Sequence, residues 1–204
     1  MLARMGMWAT ILSQHLSEIA SSYRPNELAY LALTQKVEQT FRDSLAFSLY
    51  RALGDSMGLV CREWRRFDLA VVRDSLPSLL LEAKAIYTFD IVTEGAQHGY
   101  PEQLRSDVEK ALRRRVPETE VFTLLLATHV HEAPSQRCVQ SVKYFNDVRK
   151  FALRGITIED AKAEVGRRLS AHPLAAIGAI EAGVAFDVRA SVAYWLFGPY
   201  ECAI

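Results

Sequence analysis

The chain has 204 residues, half of them hydrophobic, which is enough to bury a full core, and one domain is the simplest count. Its 24 basic residues balance 24 acidic ones, so the formal net charge is zero. That balance excludes a protein that coats nucleic acid through bulk positive charge, and it confines any phosphate-binding surface to a local basic patch.

The first residues, MLARMGMWATIL, carry one Arg and a short apolar stretch. Ser13, Gln14, His15 and Glu18 follow with no small-x-small cleavage site, which argues against a signal peptide. Met7, Trp8, Ile11, Leu12, His15 and Ile19 fall near helical spacing, so residues 1–25 are expected to hold an amphipathic helix ahead of one α/β domain over 26–204. Asn26 is a good N-cap, and Tyr30, Val37, Phe41, Leu45, Leu49 and Ala52 recur at steps that predict a single helix over 27–53, closed by Gly54.

Leu59 to Phe67 reads as a strand, followed by Asp68 to Arg73, a turn at Asp74-Ser75-Leu76-Pro77-Ser78, and a strand from Leu79 to Ile86. A five-residue turn at 73–77 sets Asp68 directly across from Glu82. A one-residue slip would put the two on opposite faces, so chemistry at this pair requires that register or a bulge that restores it. Residues 87–100, with Gly95 and Gly99, read as a loop. Pro101 to Arg115 is a helix with Leu104, Val108, Ala111 and Leu112 on one face, and Val121 to Val130 is a central strand. Helical segments follow near 139–153 and 158–170, the second capped by Thr157 with Asp160 three residues on. Val184 to Trp195 alternates as one strand. Val184, Phe186, Val188, Ala190, Val192 and Tyr194 lie on one face of it, and it is either an extra sheet strand or a dimer edge. The order α-β-β-β-α-β, then helices and a last strand, makes an α/β sandwich with a mixed sheet.

Residues two apart on a strand face the same side, so Glu82 and Lys84 project together while Ala83 points the other way. With Asp68 opposite, two oxygen ligands for a hard divalent cation stand beside an amine that can position water or hold a phosphate. These are parts of a hydrolytic phosphodiester site. The plainer readings are a Glu82–Lys84 ion pair at a strand end and an Asp68 paired with Arg65 or Arg66.

At these residues the chain resembles the PD-(D/E)xK nuclease superfamily, whose pattern is an acidic residue on one strand and Glu-x-Lys or Asp-x-Lys on the next, after a helix that often supplies another Glu. Phe67 stands where the proline of the family name would be. The matching context spans roughly residues 26–131. The resemblance implies a restriction-endonuclease-like fold, a three-layer sandwich around a central mixed β-sheet. It also implies a magnesium-dependent endonuclease, with manganese as a substitute. DNA is the expected substrate and RNA the alternative, in restriction, repair, recombination or defence. On that likeness Asp68, Glu82 and the main-chain carbonyl of Ala83 hold the metal, and Lys84 orients the attacking water, or acts as a base if burial depresses its pKa. Glu38, one residue off the Val37–Phe41–Leu45 stripe, is the best-placed helix glutamate and the candidate for a further metal ligand, ahead of Glu63 and Glu27. YPEQLRSDVEKAL resembles the helix that follows the motif strand in many members, which makes Gln103 and Asp107 secondary candidates.

Basic residues cluster at Arg62, Arg65 and Arg66, at Arg113, Arg114 and Arg115, and at Arg167-Arg168. They bind phosphates only if they share a face; otherwise they are solvated surface. Trp64 either stacks on a base or packs. His129-x-His131 followed by Cys138 suggests zinc, but no fourth ligand stands at suitable spacing. Cys61, Cys138 and Cys202 contain no CxxC pair, so a disulfide framework is not indicated and a reduced cytoplasmic setting fits best. No apolar run approaches the ~20 residues that span a bilayer, so no membrane partner is expected. Two rivals stand beside the nuclease. One is a catalytically inactive member of the fold that binds nucleic acid or a protein, and the other is an unrelated α/β binding domain. A double-strand cut needs two sites or two visits, which makes a homodimer relevant.

Overall fold

The computed structural model describes residues 6–92 and 99–201. The first five residues of the expected N-terminal helix, the part of the expected loop around Gly95, and Cys202 lie outside the described residues. Helix α1 runs from Met7 to Glu18 and buries Trp8, Leu12 and Leu16; a 3-10 turn, Ile19–Ser22, extends it.

The helix expected over 27–53 is two helices, α2 (Glu27–Thr34) and α3 (Glu38–Met57), with Gln35 in extended conformation between them. The Thr34 hydroxyl donates back to the Tyr30 carbonyl at 2.8 Å, a local bond that competes with the helical ladder. Val37 is fully buried, so the apolar stripe carries on across the break and periodicity hides it. Gly54 does leave helical geometry, at φ 60°, but one more turn follows it to Met57. Asn26 precedes α2 without capping it. Its backbone is left-handed, and its side-chain oxygen accepts from the Val184 N–H at 2.8 Å instead.

The described strands are β1 (Leu59–Trp64), β2 (Phe67–Arg73), β3 (Leu76–Tyr87), β4 (Glu120–Val130), β5 (Leu174–Ala185) and β6 (Val188–Phe197). They form one mixed sheet in the order β1-β2-β3-β4-β6-β5, in which β3 and β4 are parallel and all other neighbours antiparallel. The parallel pair requires a crossover. It contains α4 (Thr88–Val92), inside the stretch expected to be loop, and α5 (Tyr100–Leu112) with Pro101 in its first turn. Helix α6 (Phe145–Ala152) is shorter than expected and follows a 3-10 turn, Gln136–Cys138. Helix α7 (Ile158–Arg168) begins at the expected cap, where Thr157 and Asp160 form a reciprocal capping box.

The segment expected as one strand, Val184 to Trp195, is strand from Val188 onward, but its first residues end β5 and turn back in a hairpin. Phe186 and Asp187, both at positive φ, connect β5 to β6. Strand β6 lies inside the sheet between β4 and β5, so it is not a dimer edge.

Alternation along β3 sorts the layers. Leu79, Leu81, Ala83, Ala85 and Tyr87 pack with α1, α2, α3 and α6, whereas Leu80 packs on the other face with α5 and α7. The even positions Glu82 and Lys84 therefore face α5. Among the described residues no helix is long and apolar enough to cross a membrane.

The β2–β3 hairpin has a two-residue turn, Asp74-Ser75, with both φ positive, rather than the expected five-residue turn. Arg73 pairs with Leu76 and Val72 with Pro77, but Val71 pairs with Leu79, leaving Ser78 as an extra residue. Its hydroxyl donates to the Val71 carbonyl at 3.2 Å. This bulge shifts the register by one, so that Leu69 pairs with Leu81 and the next position along sets Asp68 opposite Glu82.

Candidate active site

Strand β3 outruns β2. The last ladder pair is Leu69 with Leu81, yet β3 continues to Tyr87, so the N–H groups of Ala83 and Ala85 reach past the end of their partner. A buried donor left unmet costs about 1–3 kcal/mol. Two carboxylates meet these donors: Asp68 Oδ2 accepts from Ala83 N at 2.8 Å and Glu38 Oε2 from Ala85 N at 3.1 Å. The first turn of α3 thereby brings Glu38 to the edge where Asp68 stands. Because the N–H and C=O of one strand residue point to the same edge, the Ala83 carbonyl also faces the Asp68 side.

Glu82 is only 6% exposed. Its Oε1 accepts from Lys110 Nζ of α5 at 2.7 Å, and Lys110 also donates to the Arg66 carbonyl at 3.0 Å. Burial pushes the Glu82 carboxyl up to about 7; the bond from Lys110 opposes this, while a hydrogen bond to Asp68 and the Asp68 charge add to it. Asp68 and Glu82 thus stand opposite one another in the hairpin register, near enough for the charge of Asp68 to act on the Glu82 carboxyl. On the far side, Asp68 Oδ1 lies 3.6 Å from Arg42 Nη1, and Arg42 also pairs with Glu63 and Asp43, each at 3.1 Å.

Lys84 Nζ lies 3.2 Å from Asp107 Oδ2, off the line of a hydrogen bond, and among the described residues that oxygen has no other partner. Burial works to lower the Lys84 pKa, but the charges of Asp107, Glu38 and Glu82 outweigh it and the pKa is raised. Lys84 is therefore a fixed cation, and the alternative of a burial-depressed base is not formed. For Glu38, burial raises the pKa against the Ala85 N–H bond, and the Asp68 charge raises it further.

The structure brings Asp68, Glu82, Lys84, Glu38 and Asp107 to one end of β3. It does not form the ion pairs of the plainer readings: Glu82 pairs with Lys110, Lys84 with Asp107, and Asp68 faces Arg42 rather than Arg65 or Arg66. Glu27 accepts from the Arg24 N–H, away from the site. Gln103 is exposed and lines a concavity beyond Lys84. Sequence reasoning missed Lys110 and Arg42. Helical spacing held the signal, since Lys110 is three residues from Asp107 and Arg42 four from Glu38, each pair on one helix face.

Among the basic clusters, the tip of the β1–β2 turn, Arg65-Arg66, meets the end of α5. Arg114 Nη1 donates to the Arg65 carbonyl at 2.8 Å, and Arg113 pairs with Glu109. Arg65 lies over the Trp64 ring at 4.7 Å, so Trp64 packs under its own neighbour. Arg65, Arg66, Arg113 and Arg114 make one exposed patch, tied to Glu82 through Lys110. Arg115 leaves it and donates to the Tyr200 carbonyl at 3.1 Å.

The zinc alternative lacks its parts. His129 and His131 sit ring to edge, bonded to Thr88 and Ser191, and burial first, with His131 beside it, drops His129 to about 4. Cys138 lies instead against Ser135 and the Phe186 carbonyl; it and Cys61 are free thiols. Among the described residues, no group of three or more His, Cys, Asp or Glu side chains converges to hold a metal. The oxygen donors that the register sets side by side are two carboxylates, Asp68 and Glu82, next to a main-chain carbonyl. An all-oxygen set of that size suits magnesium, which keeps several waters and binds through one or two carboxylates and the substrate phosphate. No protein-family model matches the chain, and no curated protein or solved structure matches it.

Proposed function

We propose that this chain is a magnesium-dependent nuclease of the PD-(D/E)xK type, hydrolysing phosphodiester bonds in DNA. The observation that carries this reading is the register that sets Asp68 opposite Glu82 on the face that also presents Lys84, where a helix glutamate reaches β3 past the end of β2. The succession α3-β1-β2-β3-α5-β4 supports a restriction-endonuclease-like fold. Asp68, Glu82 and the Ala83 carbonyl would hold the magnesium ion, which when bound supplies an activated water and neutralises charge on the phosphate. Lys84, held cationic by Asp107, orients that water and offsets charge on the phosphate oxygens as they develop it. Glu38, tied to the Ala85 N–H through Oε2, would offer its other oxygen as a further donor to the cation. Lys110, held by the Arg66 carbonyl and by Oε1 of Glu82, would leave the other Glu82 oxygen for the cation.

A second reading has its own support. Asp68, Glu82 and Glu38 each already have a structural partner, as befits an inactive fold member that binds nucleic acid or protein. The test is cleavage of duplex, single-stranded, branched and RNA substrates with magnesium or manganese, alongside calorimetric titration of the metal. Metal-dependent cutting that EDTA stops is expected. Metal binding without any cleavage would transfer the assignment to the binding protein.

The arginine patch yields its own expectation. Arg65→Ala and Arg113→Ala should each weaken DNA binding and reduce the slope of log K against log salt by about 0.9 on duplex for each phosphate no longer neutralised. Arg115→Ala should leave the slope alone. Equal slopes for all three variants would assign the patch to solvated surface.

A further inference from the structure

Beyond Lys84 the same strand face runs into a concavity of about 350 Å³ that the carboxylate site does not use. Its walls include Ile86, Phe89, Tyr100 and Tyr144, with Lys36 and Gln103 at the rim. Ile86 is two residues past Lys84, a rise of about 7 Å along the strand, which is close to one nucleotide step. Gln103 stands one helical turn from Asp107, the partner of Lys84. Lys36 is two residues before Glu38 and its charge acts on that carboxyl. The concavity and the carboxylate site therefore share β3 and α5, with Lys36 in the link just before α3, and adjoin.

Its chemistry is selective. Tyr144 is 46% exposed and stands edge-on to Phe89 at 6.3 Å, which leaves ring surface open to a ligand. It holds φ 52°, a left-handed conformation costly for a bulky residue, with Lys143 over one face of its ring, 5.3 Å from the centroid, so that the other face is the one offered. Asp90 and Asp147 also line the space, so a phosphate is repelled from it. A flat ring with amino donors is accepted: rings to stack on, carboxylates and an amide for its polar edge, and Lys36 and Lys143 outside for the flanking phosphates.

We propose that this concavity receives one unpaired nucleobase next to the bond being cut, so that the substrate class is single-stranded or strand-end nucleic acid rather than intact duplex. The inference rests on the nuclease reading of the adjoining site. A base inside a duplex is stacked and paired, and must be extruded to enter such a space.

The test uses a short single-stranded DNA, its RNA counterpart and the same DNA as duplex, each carrying 2-aminopurine, bound to the full chain without divalent metal. Binding should quench the fluorophore in single strands and not in duplex. Tyr144→Ala should weaken single-strand binding about 5- to 150-fold, the span to which a stacking loss of 1–3 kcal/mol converts. Tyr144→Phe should preserve binding, and melting curves show whether the alanine variant is folded. Should that variant unfold, Lys36→Glu at the exposed rim reads the same site and should weaken binding likewise. Quenching in one sugar series alone tells DNA from RNA. Cleavage of duplex with pocket variants indifferent overturns the base pocket and spares the nuclease, whereas absence of both cleavage and nucleic-acid binding overturns both. Binding of an arginine peptide that Asp147→Asn abolishes, with no quenching of any strand, would reassign the concavity to a cationic side chain.

Discussion

Replacing Lys84 with alanine is expected to slow cleavage by about 10²–10³-fold, the usual loss when a preorganised electrostatic stabiliser is removed. The structure adds a complication that the motif alone does not suggest. Asp107 Oδ2 is buried and has Lys84 as its near cation, so the variant also strands a carboxylate. The pair is partly exposed, which limits the stability loss to about 1 kcal/mol. Lys84→Ala with Asp107→Asn should therefore recover the melting temperature while cleavage stays lost. If the double variant recovered cleavage as well, Lys84 would be a structural ion-pair partner and no more.

The second large effect concerns pH in metal-free buffer. Glu82 titrates near 7 in the folded chain against an ordinary 4.5, chiefly through burial. Between those values the folded state holds a proton that the unfolded chain has lost. The contribution of Glu82 to stability should then be greatest below about pH 4.5, fall as pH rises toward 7, and level off beyond it, a loss of roughly 3 kcal/mol for a shift of this size. Glu82→Gln mimics the neutral form and should flatten that part of the profile, making the variant more stable than the parent at pH 8. Magnesium should act in the opposite sense on the parent, raising its melting temperature more at pH 8 than at pH 5, because the ionised carboxyl is the ligand. Denaturant titrations from pH 5 to 8 on both proteins check this, and parallel curves would mean that Glu82 titrates like a surface carboxyl.

How far these residues are readable from sequence depends on the kind of signal. Buried strands 69–72 and 79–81 are legible because unbroken runs of Leu, Val and Ala admit little else. The facing of Glu82 with Lys84 follows from the two-residue repeat of any strand. The opposition of Asp68 to Glu82 emerges from the sequence only because two errors compensate. The turn is three residues shorter than the Asp-Ser-Leu-Pro-Ser composition suggests, and the bulge at Ser78 restores the offset. Tight hairpin turns are most visible as Asn-Gly or Asp-Gly. Here they are Arg65-Arg66, Asp74-Ser75 and Phe186-Asp187, all at positive φ without glycine. For the same reason, β5 and the hairpin it makes with β6 escape a sequence reading, and the Ala- and Gly-rich β5 offers little β-propensity of its own. Lys110 and Arg42 are hidden differently. Their own helices mark them only as polar-face residues, and which strand that face covers is decided by packing.

The surplus residue at Ser78 gives the hairpin a length slack of one. Deleting Ser78 would let the ladder close regularly from Leu76 onward, with Asp68 still opposite Glu82. Inserting one residue between Val71 and Val72 would give Ser78 a partner and do the same. A deletion between Asp68 and Val71 has no such reserve and would set Asp68 against the wrong neighbour. Homologues of this chain are thus free to differ in length on the tip side of the bulge, and are held to a fixed count between the bulge and the acids.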